Sequence, residues 1–186
     1  EKFDLKVIED AAEVIGQTYY DKKCGSFGDV STLSFYPNKH ITSGEGGMIL
    51  TDDENIYNKV KSLKNLCFVE NRRFYHIDLG YNARMSNLQA AVGLAQFENL
   101  SFNIKRKREI GYKYLEGLKN IKNIRLPLVR TDFSENIFWV FGIVLEGINQ
   151  LKYDEVINAL KKEGIGTRPF FWPLHKMPTV KFAANN

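Results

Sequence analysis

The chain has 186 residues, 44% hydrophobic, 26% charged and 13% aromatic, so it is globular and long enough for one sizeable core or for one domain plus part of another. Its formal charge is only +4, with 26 basic side chains interleaved among 22 acidic ones, which argues against a nucleic-acid role. No apolar run nears the roughly 20 residues that a membrane helix needs, and no signal peptide is visible.

In chain order, Leu5 to Glu9 reads as a short buried strand that reaches an acidic stop at Asp10, followed by a helical turn through Ala11 and Ala12. Thr18 to Tyr20 and Val30 to Phe35 are further strands, with Asp21-Lys22-Lys23 as the turn between them. Another strand, Met48 to Thr51, is entered from Gly44-Glu45-Gly46-Gly47. Asp52 and Asp53 then cap a helix to about Leu66, with Ile56, Val60 and Leu63 on one face. Ser86 or Asn87 caps the next helix, whose Leu88, Ala90, Ala91, Val92 and Ala95 suggest tight packing in a core or at a subunit interface. A long polar helix from about Asn103 to Leu118 has the spacing of a domain bridge, and Lys105-Arg106-Lys107-Arg108 reads as its solvated face. A strand (Phe138 to Leu145), a helix (Tyr153 to Glu163) stopped by Gly164, and a short last segment (Thr167 to Trp172) complete a small α/β unit. The boundary falls near residue 103, giving parts 1–103 and 104–186.

Lys39 carries the chemistry. It lies between an apolar strand and a glycine cluster, in Ser34-Phe-Tyr-Pro-Asn-Lys39-His-Ile-Thr-Ser-Gly44, where a surface role explains it poorly. A lysine amine held near an aldehyde forms a Schiff base. An Asp beside a pyridine nitrogen favours its protonated form, so the ring can absorb electrons when a Cα–H bond breaks. Asp10 lies twenty-nine residues before Lys39, enough for a crossover that returns two strand ends to one sheet edge. Together they fit a pyridoxal 5'-phosphate site, with the Ser34 hydroxyl available to the phosphate. The glycines after Lys39 fit a sharp turn better than a phosphate cradle, and match neither a Walker loop nor a dinucleotide fingerprint. His76 reads as a hydrogen-bonded loop residue, and Phe170, Phe171 and Trp172 as pocket lining or core. Cys24 and Cys67 have no metal-ligand spacing and fit free thiols in a reducing cytoplasm; no metal set or Ser-His-Asp triad stands out.

The segments Val7-Ile-Glu-Asp10-Ala-Ala-Glu13, Gly25-Ser-Phe-Gly-Asp29, Ser34 to Lys39 with Gly44 to Gly47, and Gly80-Tyr-Asn-Ala-Arg-Met85 resemble the nucleotide-sugar aminotransferases of the DegT/StrS type. The ending Thr167-Arg-Pro-Phe-Phe-Trp-Pro-Leu-His175-Lys-Met-Pro178 is most similar to the GDP-perosamine synthase branch. The resemblance implies an α/β chain of the aspartate aminotransferase type (fold type I): the C-terminal part of a large, mostly parallel domain plus a truncated small domain. It implies that Lys39 bears the cofactor, Asp10 pairs with the pyridine nitrogen and Glu13 lies beside the ring. Ser34 would contact the phosphate, Asn82 the phosphate of a neighbouring subunit's cofactor, and Arg84 and His175 the nucleotide-sugar. It further implies a cytoplasmic homodimer that moves an amino group, usually from glutamate, onto a keto sugar nucleotide for polysaccharide synthesis.

Some relatives replace that lysine with histidine and run a sugar 3-dehydration. Here the spacing from Ser34 and from the glycines puts Lys39, not His40, at the reactive position. The family's early phosphate-binding loop, ring-covering aromatic and final helices are missing, and both ends read as cuts through a larger protein. A silent fragment acting only as a binding module is the remaining alternative.

Overall fold

Two features of the first strand decide the local architecture: it is short, and it ends in adjacent carboxylates that must point to opposite faces. In the computed structural model, which describes residues 3–147 and 150–180, β1 (Ile8–Asp10) pairs in parallel with β4 (Val30–Ser34). β4 pairs in turn with antiparallel β5 (Gly47–Leu50). The sheet order is β1-β4-β5, and Asp10 lies opposite Thr32. Between β1 and β4, β2 (Thr18–Tyr19) and β3 (Lys22–Lys23) form a hairpin. Its turn is Tyr20-Asp21, with φ of 45° and 62°, the left-handed pair that a two-residue hairpin loop needs. Lys22 and Lys23 therefore belong to the returning strand and not to the turn.

Contacts divide the chain into two units, Glu1–Gly117 with Leu128–Phe141, and Leu118–Pro127 with Gly142–Asn186. The first holds the sheet, α1 (Glu54–Leu63), the hairpin β6 (Phe68–Val69) and β7 (Arg72–His76), α2 (Asn87–Glu98) and nearly all of α3 (Leu100–Leu118). Asp53 caps α1 by accepting from the Asn55 and Ile56 amides, and Ser86 with Gln89 forms a capping box on α2. The core gathers Ile15, Phe35 and Ile41, with Leu33, Met85 and Leu100 against them. Alternation along β4 sends Ser31, Leu33 and Phe35 to that side, and Thr32 and Ser34 to the other.

Several expectations are corrected. Leu5, Val7 and Ile8 are exposed, because β1 is an edge strand in this chain and no described element covers its outer face. Residues 11–16 make turns and no helix: the Ala12 amide is taken by the Asp10 carboxylate, an alternative to helical bonding. No residue of α2 is buried, so its small residues do not pack into this chain's core. The strand expected from Phe138 shrinks to β9 (Val144–Leu145). Phe138 has φ of 48°, and side chains bind the carbonyls of residues 135–137 and 139 in place of a ladder.

The second unit pairs β8 (Ile124–Arg125) with antiparallel β9, followed by α4 (Gln150–Lys162) and 3-10 turns at Leu174–Lys176 and Pro178–Val180. Residues 167–172 form no strand, and Phe170, Phe171 and Trp172 are exposed, which removes the core-packing reading. Among the described residues no helix is long and apolar enough to cross a membrane.

Candidate active site

The loop that leaves β4 is tied back onto its own strand. Tyr36, Pro37 and Asn38 turn the chain so that the Lys39 amide donates to the Tyr36 carbonyl at 3.0 Å. Proline second in a four-residue turn has its φ preset for that bend. The Phe35 carbonyl accepts from the Ser43 amide and from the Thr42 hydroxyl, and the Phe35 amide donates to Gly46. Gly46 has φ of 137°, and a Cβ there would stand 2.8 Å from Met85 Cε. The Met85 methyl could shift, but that φ strains any residue with a side chain, so the turn calls for glycine.

This brace holds Lys39 with its side chain only 9% exposed and its Nζ 3.7 Å from a Glu13 carboxylate oxygen. The same Nζ lies 4.0 Å from the centre of the Trp139 ring. Trp139 was not foreseen: a hundred residues of sequence and an irregular segment separate it from the lysine. The next residue, His40, is buried and aims away, its Nε2 donating to the Ile137 carbonyl at 3.1 Å. Burial holds its imidazole below the usual histidine value; that carbonyl opposes the shift, and the Lys107, Lys39 and Arg108 charges add to it.

Asp10 ends β1 beside Thr32, two residues before Ser34, and the three lie on one sheet face. Ser34 Oγ accepts from the Tyr36 amide at 3.3 Å. Glu9 takes the opposite face, where its carboxylate accepts from the Gly25 and Phe27 amides and the Ser31 hydroxyl at 2.6–3.1 Å. Partial burial pushes its carboxyl up, but those hydrogen bonds outweigh the burial and hold it below its usual value. This clasp explains the Gly25-Ser-Phe-Gly28 motif as structure: it fixes the rotation of β1 and hence the direction of Asp10. Strand alternation at Glu9-Asp10 was the available signal.

Asn82 and Arg84 are exposed and bound to each other. Arg84 Nε donates to Asn82 Oδ1 at 2.9 Å, and its Nη1 to Asn65 at 3.2 Å. Met85, packed against the core, anchors this segment next to the lysine loop. His175 is exposed on the Leu174–Lys176 turn of the second unit. His76 belongs to β7 rather than a loop, its Nδ1 2.6 Å from the Leu66 carbonyl and its ring against Phe68. The basic run on α3 is only partly a solvated face: Arg106 pairs with Glu109, whereas Lys107 and Arg108 bind the 135–139 segment. Among the described residues no group of histidines, cysteines and carboxylates could hold a metal ion.

Residues 1–186 match the DegT/DnrJ/EryC1/StrS aminotransferase family. The GDP-perosamine synthase of Caulobacter vibrioides is 42% identical, aligned over 100% of this chain and 50% of that protein. A dTDP-4-dehydro-2,6-dideoxy-D-glucose 3-dehydratase of Saccharopolyspora spinosa is 32% identical, over 90% of this chain and 42% of its own. Among solved structures, Helicobacter pylori PseC, an aminotransferase involved in the biosynthesis of pseudoaminic acid, superposes with TM-score 0.90 at 23% identity, covering 100% of this chain and 50% of its own. The chain spans about half the length of the relatives it matches.

Proposed function

Because the chain belongs to the DegT/DnrJ/EryC1/StrS aminotransferase family, we propose that its full-length protein transfers an amino group onto a nucleotide-linked 4-keto-6-deoxy sugar. Glutamate is the proposed donor, and a perosamine-like amino sugar for polysaccharide synthesis the proposed product.

Lys39 carries this reading: its largely buried amine faces a carboxylate, while His40 is turned into the protein against Ile137. A dehydratase would need histidine at the reactive position. The 42% identity to a GDP-perosamine synthase, against 32% to a 3-dehydratase, supports the same choice.

The donor set fits pyridoxal 5'-phosphate: a primary amine for the aldehyde, a strand-end carboxylate for the ring nitrogen and a hydroxyl beside it on the same sheet face. Lys39 would hold it through Nζ, Asp10 would pair with the ring nitrogen, Glu13 would lie beside the ring, Ser34 would meet the phosphate, and Asn82 would meet the phosphate of the neighbouring subunit's cofactor. Arg84 and His175 would receive the nucleotide-sugar. When bound, the cofactor supplies the carbon that accepts the amino group and an electron sink for proton removal. The Lys39 amine would take the proton from the amine-bearing carbon and return it, as general base and then acid. The hydrogen bonds among residues 35–46 around it brace its backbone, which would keep that proton transfer within reach on each turnover.

The exposed apolar side chains spread around α2 (Leu88, Val92, Leu94 and Phe97) support a homodimer, which light scattering of the full-length protein would refute by returning a monomer mass. The large-domain and small-domain assignment belongs to the same proposal, with contacts favouring a longer first part, Glu1–Gly117 with Leu128–Phe141. A cytoplasmic location is proposed from the cysteine usage, Cys24 and Cys67 both being free thiols. Full-length protein mixed with pyridoxal phosphate should show a visible absorption band, and Lys39→Ala should abolish it. An unchanged band in the variant would remove Lys39 from the chemistry.

A further inference from the structure

Trp139 is held from several sides. Its indole N–H donates to the Asn38 carbonyl at 3.1 Å, and its own carbonyl accepts from Lys107 Nζ at 3.3 Å. Two residues earlier, the Ile137 carbonyl accepts from His40 Nε2. Arg108 binds the carbonyls of Glu135 and Asn136, and Gln17 also donates to Glu135. The segment 135–139 therefore grips the backbone before Lys39 and the side chain after it. Between those two grips, the Trp139 ring face covers the lysine's Nζ at 4.0 Å.

An ammonium is drawn to the negative face of an indole, most strongly where water is excluded. With its side chain 9% exposed, Lys39 is such a case, and Glu13 at 3.7 Å adds an opposite charge. A four-carbon side chain without these contacts would sample many rotamers, few of them directed at one reacting atom. We propose that Trp139 is a positioning residue for Lys39. Its ring face parks the amine beside Glu13 whenever that amine is not bonded to the cofactor. This rests on the proposed role of Lys39 as the cofactor-bearing, proton-moving residue.

The test compares Trp139→Phe, which keeps a ring, with Trp139→Leu, which does not, in the full-length protein. Two readouts are taken, neither of them turnover. One is acylation of the Lys39 amine in cofactor-free protein, followed on its peptide by mass spectrometry. The other is the rate at which added pyridoxal phosphate becomes attached at Lys39, trapped by borohydride; attachment forms one C=N bond and releases one water. Trp139→Leu should attach about tenfold more slowly and acylate faster, while Trp139→Phe stays within about threefold of wild type. Wild-type rates in a folded Trp139→Leu protein would overturn the proposal, and so would a Trp139→Phe protein as slow as Trp139→Leu. Circular dichroism and melting check the fold, and Trp139→Met replaces Leu if Leu does not fold. Lys39→Ala separates the two levels: undiminished attachment there would defeat the reading of Lys39 itself, whatever Trp139 does.

Discussion

Lys39 and His40 are neighbours in sequence with opposite surroundings. The amine faces a carboxylate and a ring face, whereas the imidazole is buried, donating to a carbonyl and flanked by the charges of Lys39, Lys107 and Arg108. Folding therefore holds His40 neutral below the pH at which an unfolded histidine would protonate. In that window the unfolded chain binds more protons than the folded one, so stability rises with pH. The melting temperature of the full-length protein should fall as pH drops from the ordinary histidine value of 6.5 towards the lower folded value. His40→Gln keeps a donor for Ile137 without a titrating group, and should flatten that part of the profile; equal slopes in both proteins would contradict the assignment. Glu9 contributes a separate decline at lower pH, since its folded value lies below 4.5. The lysine and its register against His40 could be read from local spacing. Trp139 could not, because nothing local in a sequence encodes which distant irregular segment will return to cover a side chain.

At the scale of elements, the caps and periodic helices were legible: Asp53 before α1, Ser86 before α2 and the long α3. Those signals act over three or four residues, which a sequence displays directly. The strand expected over Phe138 to Leu145 rests on aromatic and β-branched residues that fit a sheet, but Phe138's left-handed φ and the Lys107 donor of α3 on the Trp139 carbonyl win at its start. Gly111 on α3 shows the same override. By helix propensity alone, alanine there should stabilise by about 1 kcal/mol. A Cβ at that buried position would run into the Phe138 ring. Gly111→Ala should instead destabilise the protein by about 1–3 kcal/mol in urea unfolding, through displacement of Phe138. A stabilised variant would show that α3 and the 135–139 segment are not packed as described.

For the whole molecule, the parallel pairing of β1 with β4 was implied by the spacing of Asp10 and Lys39, and the structure brings Asp10 within two residues of Ser34 along the sheet. The exposed outer edge at Leu5, Val7 and Ile8 was hidden from the sequence, since an apolar run does not say whether its partner lies within the same chain. The central claim is that a lysine, and not the histidine beside it, governs a reaction on a nucleotide-linked keto sugar. The most direct measurement is the mass of the product formed by the full-length protein from a 4-keto-6-deoxy sugar nucleotide, glutamate and pyridoxal phosphate. An amino sugar nucleotide that disappears in Lys39→Ala is the predicted result. A 3-deoxygenated keto sugar from the wild type, or an amino sugar still formed by Lys39→Ala, would contradict it.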